Sequence, residues 1–274
     1  MYEASEELRK LQLHCLEILK VVDQICRKNK IQYSLCGGSV VGAYLYKGFI
    51  PWDDDIDLMM TRENYEKFIL ACKKDLPKKY QLQNYKTTKT YQTLFSKVID
   101  IDTTLVQLDH NGNEIVNGVF VDITVYDKVP NNNLKKIDFT ISDIAQKLIY
   151  CDVNSNNSIK KCLLRLVGNH CSPLYLLCEK VFRLLGNVKD YSYCELFGAF
   201  CTNKLYNKEI FESYDEIIFE KSKFMIVKNY IKYLEWRYER TDFYEPESKQ
   251  VPPHYACVDL NNSYLKYKEK QDEN

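Results

Sequence analysis

Residues 35–59 read LCGGSVVGAYLYKGFIPWDDDIDLM, and this stretch decides the fold. Its last part, Asp55-Ile56-Asp57-Leu58-Met59, alternates acidic and apolar residues, which is the period of a strand. Acids two apart on a strand share one face, and Ile56 and Leu58 take the other. Two carboxylates side by side repel, and each raises the pKa of its neighbour. A divalent cation removes that conflict. Hard oxygen ligands suit magnesium, which is commonly held by one or two carboxylates together with substrate phosphates. The competing reading is a solvated acidic loop, but acids interleaved with Ile, Leu and Met read as part of a core strand. Upstream, Gly37-Gly38-Ser39 reads as a sharp turn into a helix over residues 40–46, ended by Lys47-Gly48. Glycine permits close backbone approach, and a helix N-terminus offers free N–H groups and partial positive charge, so the turn reads as a phosphate cradle. Such turns are common, and this one gains weight only from the acids that follow it. Phe49-Ile50-Pro51-Trp52 between them is extended, because a residue before proline avoids the helical region.

Working outward, residues 5–29 carry Leu8, Leu11, Cys15, Leu16, Leu19, Val22 and Cys26 at helical spacing, with Ser5 as N-cap. Residues 32–35 read as a strand, and Thr61 caps a helix over 62–73. Residues 80–84, 93–99 and 103–108 read as strands, and Asn111-Gly112 as a hairpin turn. Phe120-Val121-Asp122-Ile123 lies in a strand over 119–125. An acid flanked there by apolar residues is costly unless paired or metal-bound. The two readings of Asp122 are a third metal carboxylate and a buried ion pair with Lys97 or Arg62. From about residue 131 the pattern turns helical, over 134–200 and again over 228–240, and the charged tail from residue 266 reads as frayed. The expected architecture is α/β, with a mixed sheet in residues 1–130 forming a catalytic core. Residues 131–265 form a mainly helical region packed on it, and 266–274 a charged tail.

The bulk composition excludes some classes. Lys+Arg and Asp+Glu both number 38, so no net charge calls for nucleic acid as a partner. The 11 cysteines are odd in number, include no C-x-x-C pair and sit mostly in apolar stretches, so they read as reduced core thiols rather than a disulfide framework. No segment approaches the roughly 18 uninterrupted apolar residues of a membrane span. The N-terminus MYEASEELRK has no signal-peptide pattern. The expectation is a cytoplasmic protein whose membrane association is at most peripheral, at the inner face.

A glycine-serine turn, then an acid-apolar-acid strand, then a lone acid on a later strand is the order of the polymerase-β-like nucleotidyltransferases. The match narrows at the quoted stretch. Residues 35–59 closely resemble the LicD family, which carries a Gly-Gly-Thr or Gly-Gly-Ser turn followed by a Lys-Gly-Phe-Ile-Pro-Trp-Asp-Asp-Asp-Ile-Asp run. Gly118-Val119-Phe120-Val121-Asp122-Ile123 resembles its second block. Residues around Phe219-Glu220, Asn229–Leu234 and Val251-Pro252-Pro253-His254 resemble a third, more loosely. The family in turn resembles the sugar-alcohol phosphate transferases of the fukutin type. The resemblance implies transfer of a phosphorylated group, phosphocholine or a sugar-alcohol phosphate, from a CDP-activated donor such as CDP-choline to a sugar hydroxyl of a cell-surface glycan such as lipopolysaccharide, or of its precursor. It implies magnesium, or manganese, on Asp55, Asp57 and Asp122, with Asp53 joining them or standing just behind. Gly37, Gly38 and Ser39 would hold the donor phosphates.

Two departures stand out. Relatives carry an arginine soon after the glycine turn, where this chain has Gly42-Ala43-Tyr44-Leu45-Tyr46, so Lys47 is the substitute expected there. Relatives often have Tyr-Gly where this chain has Glu235-Trp236-Arg237-Tyr238. Lys97 and Arg62 are further candidate phosphate contacts, and Trp52 a candidate stacking partner for base or sugar. His254 is a candidate substrate contact, while His14, His110 and His170 show no spacing for zinc. Tyr191, Tyr193, Tyr206 and Tyr214 read as packing before they read as a sugar groove. Rival functions are a true nucleotidyltransferase, a glycosyltransferase with its own acid-x-acid motif, and a non-catalytic binding protein on the same fold. Gly37-Gly38-Ser39 and Asp122 argue against the second, and three retained acids against the third.

Overall fold

The computed structural model describes residues 4–88, 91, 93–108, 114–149, 172–198, 203–243 and 255–272. Its central sheet runs in the order β1 (Ser34–Leu35), β2 (Asp57–Thr61), β7 (Phe120–Pro130), β4 (Ser96–Asp100), β3 (Tyr80–Gln83). β2 and β7 are parallel and the other pairs antiparallel, so the sheet is mixed and the fold is α/β. The long β7 runs past β4 and pairs its second half with β8 (Tyr191–Cys194), which pairs in turn with β9 (Leu205–Asn207). β5 (Thr104–Leu108) is flanked by β6 (Glu114–Asn117) and β12 (Tyr255–Asp259) in a separate small sheet.

Helix α1 (Glu6–Lys28) forms where the sequence places it. The Ser5 hydroxyl accepts the Leu8 N–H at 3.1 Å, and Glu6 and Glu7 sit at the positive end of the helix dipole. Its apolar face, Leu11, Cys15, Ile18, Leu19, Val22 and Cys26, is buried together with Leu58, Phe68, Val121 and Ile123. Helix α3 (Arg62–Asp75) buries Tyr65 and Phe68 in the same core. That one cluster extends from Leu11 to Tyr264, so residues beyond 131 share the core of the first half. Each fully buried Leu, Ile or Phe contributes about 1.5–3 kcal/mol, so this shared core ties the C-terminal region firmly in place.

Several elements differ from the sequence reading. Helix α2 is Gly37–Tyr46, so the glycines open the helix rather than precede it. Beyond residue 130, α4 (Lys135–Ile149), α5 (Ser172–Gly186) and α6 (Tyr230–Tyr238) are interleaved with strands absent from the expectation. Tyr191-Ser192-Tyr193-Cys194 is β8, not helix; its alternation of large and small residues is a strand period overridden in the reading by the helical texture around it. β10 (Tyr214–Phe219) and β11 (Ser222–Val227) form a hairpin whose two turn residues, Glu220 and Lys221, both have positive φ, 50° and 64°. A hairpin normally announces such a turn with Asn-Gly or Asp-Gly, and here that signal is missing. The tail forms helix α7 (Tyr264–Asp272) instead of fraying, anchored by buried Tyr264 and started at Ser263, whose hydroxyl accepts the Leu265 N–H. The Asn111-Gly112 turn, His110, His170 and His254 lie outside the described residues. No helix among the described residues is long and apolar enough to cross a membrane.

All but one of the described cysteines are free core thiols. Cys15, Cys26, Cys36, Cys72, Cys178 and Cys194 are free and buried, and Cys257 is free and exposed. Tyr193 and Tyr206 are buried against Phe211 and Tyr126, so packing is the correct account of these two.

Candidate active site

Strand register assembles the site. Asp57 on β2 stands opposite Asp122 on the parallel β7, and Asp122 stands opposite Lys97 on the antiparallel β4. Residues in register on adjacent strands share a face, so Asp57, Asp122 and Lys97 form one row across three strands. Lys97 donates to Asp122 Oδ1 at 2.7 Å, with its ammonium over the Phe120 ring, 3.2 Å from the centroid. Asp55, just before β2, completes the group. One carboxylate oxygen each from Asp55, Asp57 and Asp122 lies within 4.8 Å of the others. Asp53, Asp54 and Asp55 make a second such trio, so Asp55 belongs to both.

The loop bearing these acids is held from three sides. Gln12 on α1 donates to the carbonyl oxygens of Asp53 at 2.8 Å and Ile50 at 3.4 Å. Glu220, in the hairpin turn, donates its N–H to the Lys47 carbonyl at 2.8 Å, and Arg9 grips its carboxylate at 2.6 and 2.9 Å. A Cβ on Gly42 would overlap the carbonyl of Gly48, so only glycine lets α2 pack against the returning chain. Asp57 is fixed through its backbone, whose N–H donates to Ser39 Oγ at 2.9 Å and whose carbonyl accepts the Cys36 N–H at 2.9 Å.

Electrostatics make the cluster demand a counter-charge. Burial, then Asp57, Asp53, Asp54 and Asp122, push Asp55 well above the ordinary carboxylate range. Burial, then Asp122 and Asp53, push Asp57 up to about 7, with Arg237 opposing. Burial also raises Asp122, and Lys97 offsets part of that. Carboxylates so raised either hold protons near neutrality or are satisfied by a cation. The donor set is all oxygen, which suits magnesium or manganese.

The other candidates divide. Gly37 donates its N–H to the Tyr233 hydroxyl at 3.1 Å, and Ser39 donates its N–H to the Cys36 carbonyl at 3.0 Å. The amide cradle suggested by the sequence is therefore partly used within the protein. Gly38 lies under Asp53, whose Oδ2 is 2.9 Å from where a Cβ would stand. Lys47 is exposed at the far end of α2 and donates to the Tyr44 carbonyl, away from the row of acids. Lys97 is neither a surface lysine nor unengaged, since Asp122 holds it. Asp122 forms the ion pair with Lys97 that was one of its two readings, and it also lies beside Asp55 and Asp57. Arg62 is buried in a separate network, with two bonds of 2.7 Å to Asp127 and one to Glu179. Trp52, half-buried, meets Tyr46 edge-on at 6.3 Å.

Residues 30–146, which include every acid of the row, match the family described as the LicD/FKTN/FKRP nucleotidyltransferase domain. Over those residues the chain carries a LicD-family domain. The lipopolysaccharide cholinephosphotransferase LicD of Haemophilus influenzae is 28% identical over 261 residues, covering 90% of this chain and 96% of that protein. An uncharacterized protein of Rickettsia typhi is 31% identical over 101 residues, covering 36% of this chain and 30% of that one.

One residue at this site escaped the sequence reading. Arg237, on α6 and outside the matched domain, brings its guanidinium beside Gly37 and Asp57. The departure Glu235-Trp236-Arg237-Tyr238 was the only sign of it in the sequence. Nothing in local spacing links residue 237 to residue 57; the Tyr233 hydroxyl, which accepts from Gly37, docks α6 against α2 and makes the link.

Proposed function

We propose that this chain, with its LicD-family domain, is a metal-dependent phosphotransferase. It moves a phosphorylated group, phosphocholine or a sugar-alcohol phosphate, from a CDP-activated donor to a sugar hydroxyl of a cell-surface glycan or its precursor. The observation that carries this reading is the convergence of Asp55, Asp57 and Asp122 to within 4.8 Å, beside the start of α2. The name of the Haemophilus influenzae relative, a lipopolysaccharide cholinephosphotransferase, supports phosphocholine as the group and lipopolysaccharide as the class of acceptor. The expected place of action is the cytoplasm, with contact at the inner face of a membrane as the limit of its lipid association.

Asp55, Asp57 and Asp122, with Asp53 beside them, are the residues that would hold magnesium or manganese. When bound, the ion offsets negative charge on the donor pyrophosphate and on the departing nucleotide. Asp57 or Asp122 is the acid placed to orient the acceptor hydroxyl and receive its proton. Lys97 keeps Asp122 in place and favours its ionised form. The Ser39 hydroxyl and the Cys36 amide hold the Asp57 backbone, so its carboxylate does not drift from the row.

The test is incubation with CDP-choline or CDP-ribitol, magnesium and a glycan acceptor, with the product weighed by mass spectrometry. The expected product is acceptor plus phosphocholine or ribitol phosphate, with CMP released, and no product from Asp57→Ala. Acceptor carrying CMP would overturn the reading in favour of a true nucleotidyltransferase. Equal inactivity of both proteins across donors would favour a binding protein.

A further inference from the structure

Arg237 lies outside the row of acids yet faces it. Gly37 has a φ of +51°, and a Cβ built there would stand 3.3 Å from Asp57 Oδ2 and 3.7 Å from both Nε and Nη2 of Arg237. The missing side chain of Gly37 therefore leaves a small space shared by a carboxylate oxygen and a guanidinium edge. Nε and Nη2 are the two donors of one side of the fork, and that side matches two oxygens of a phosphate. The opposite end is anchored: Nη1 donates to buried Glu195 Oε2 at 3.2 Å. The side chain is 20% exposed, so it is fixed in place while its fork edge borders the acid cluster.

We propose that Arg237 is a phosphate-contact residue: its Nε–Nη2 edge grips phosphate oxygens of the donor pyrophosphate over Gly37, beside the cation site of Asp57. This rests on the phosphotransferase reading. A cation held by the acids would offset charge on one side of that anion, and the guanidinium offsets it on the other. A side chain at 37 would enter the gap between Asp57 and the fork, and glycine keeps it clear.

The test is calorimetric binding of magnesium alone and of magnesium pyrophosphate to the full chain. Wild type, Arg237→Lys, Arg237→Met and the double variant R237M/E195Q are compared, with melting temperature reporting folding. The double variant removes the buried Glu195 charge that R237M leaves without its partner. R237M and R237M/E195Q are expected to lose about ten- to a hundredfold in affinity for magnesium pyrophosphate, the range of charge-assisted hydrogen bonds. R237K, which keeps the charge without the fork, falls between. Magnesium alone binds the variants about as tightly as wild type, since Arg237 is bonded to Glu195 and not to the acids that would hold the ion. Undiminished pyrophosphate binding by folded R237M/E195Q overturns the proposal and leaves the phosphotransferase reading standing. Parallel loss of magnesium alone also overturns it, because Arg237 then acts only by shaping the acids. Wild type that binds magnesium but no magnesium pyrophosphate overturns both.

Discussion

Asp57→Asn is expected to stabilise the metal-free protein above neutral pH. Folding raises the Asp57 pKa from 3.8 to about 7, so the folded state resists losing that proton. The sign follows from linkage: a group raised on folding leaves stability intact below the unfolded pKa, and stability falls as pH rises through the folded value. The loss therefore develops between about pH 4 and pH 7 and is complete above that. A shift of that size corresponds to a ceiling of about 4 kcal/mol. Asp57 is half-buried and reached by solvent, which screens the interaction, so about 2 kcal/mol is the working figure. For a chain of this length that is roughly 4–8 °C in Tm. Thermal melts in chelator should place Asp57→Asn that far above wild type near pH 8, with the gap closing near pH 4.5. Added magnesium should raise wild type and reverse the order. Wild type and variant melting together at every pH, or a variant less stable than wild type in chelator near pH 8, would refute the account of a strained carboxylate cluster.

Other outcomes follow from particular contacts. Lys97→Met removes the partner of Asp122, so the Asp122 pKa rises further; magnesium affinity near pH 7 should fall about 10–100-fold and recover partly at higher pH, as read by calorimetry. Arg62→Met takes from buried Asp127 its guanidinium partner, while Glu179 keeps Lys86 and Tyr85, and should cost about 3–5 kcal/mol in urea unfolding while leaving magnesium binding intact in the protein that remains folded. Gly42→Ala forces a methyl group onto the Gly48 carbonyl and should shift the loop ahead of the acids, lowering both Tm and magnesium affinity. Tyr233→Phe removes the acceptor of the Gly37 N–H and should loosen α6 from α2, weakening anion binding more than magnesium binding.

The sequence alone determined the parts of this protein that are local and periodic. Asp55-Ile56-Asp57-Leu58 carries its own strand period, so the facing of the acids and the burial of Ile56 and Leu58 were legible before any fold was known. Helix α1 declared itself through Ser5, Glu6, Glu7 and its apolar spacing. The long run ending in Trp52-Asp53-Asp54-Asp55-Ile56-Asp57 also carried the family. What the sequence could not fix was every relation that depends on elements far apart in the chain. Lys97 and Arg62 read equally as ion-pair partners of Asp122 until the β4–β7 register set Lys97 opposite it. Lys47 stood close to the acids in sequence, yet the length of α2 carries it to the other end of the helix. The hairpin of β10 and β11 was hidden because Glu220 and Lys221 adopt positive φ without the glycine that usually marks such a turn. Arg237 is the clearest case. A charged residue on a short helix has no local signature of function, and only the packing of α6 on α2, through Tyr233 and Gly37, brings its guanidinium to the carboxylate of a residue 180 positions earlier. Local pattern is written in neighbouring side chains, whereas charge complementarity between distant elements exists only after the hydrophobic core has brought them together.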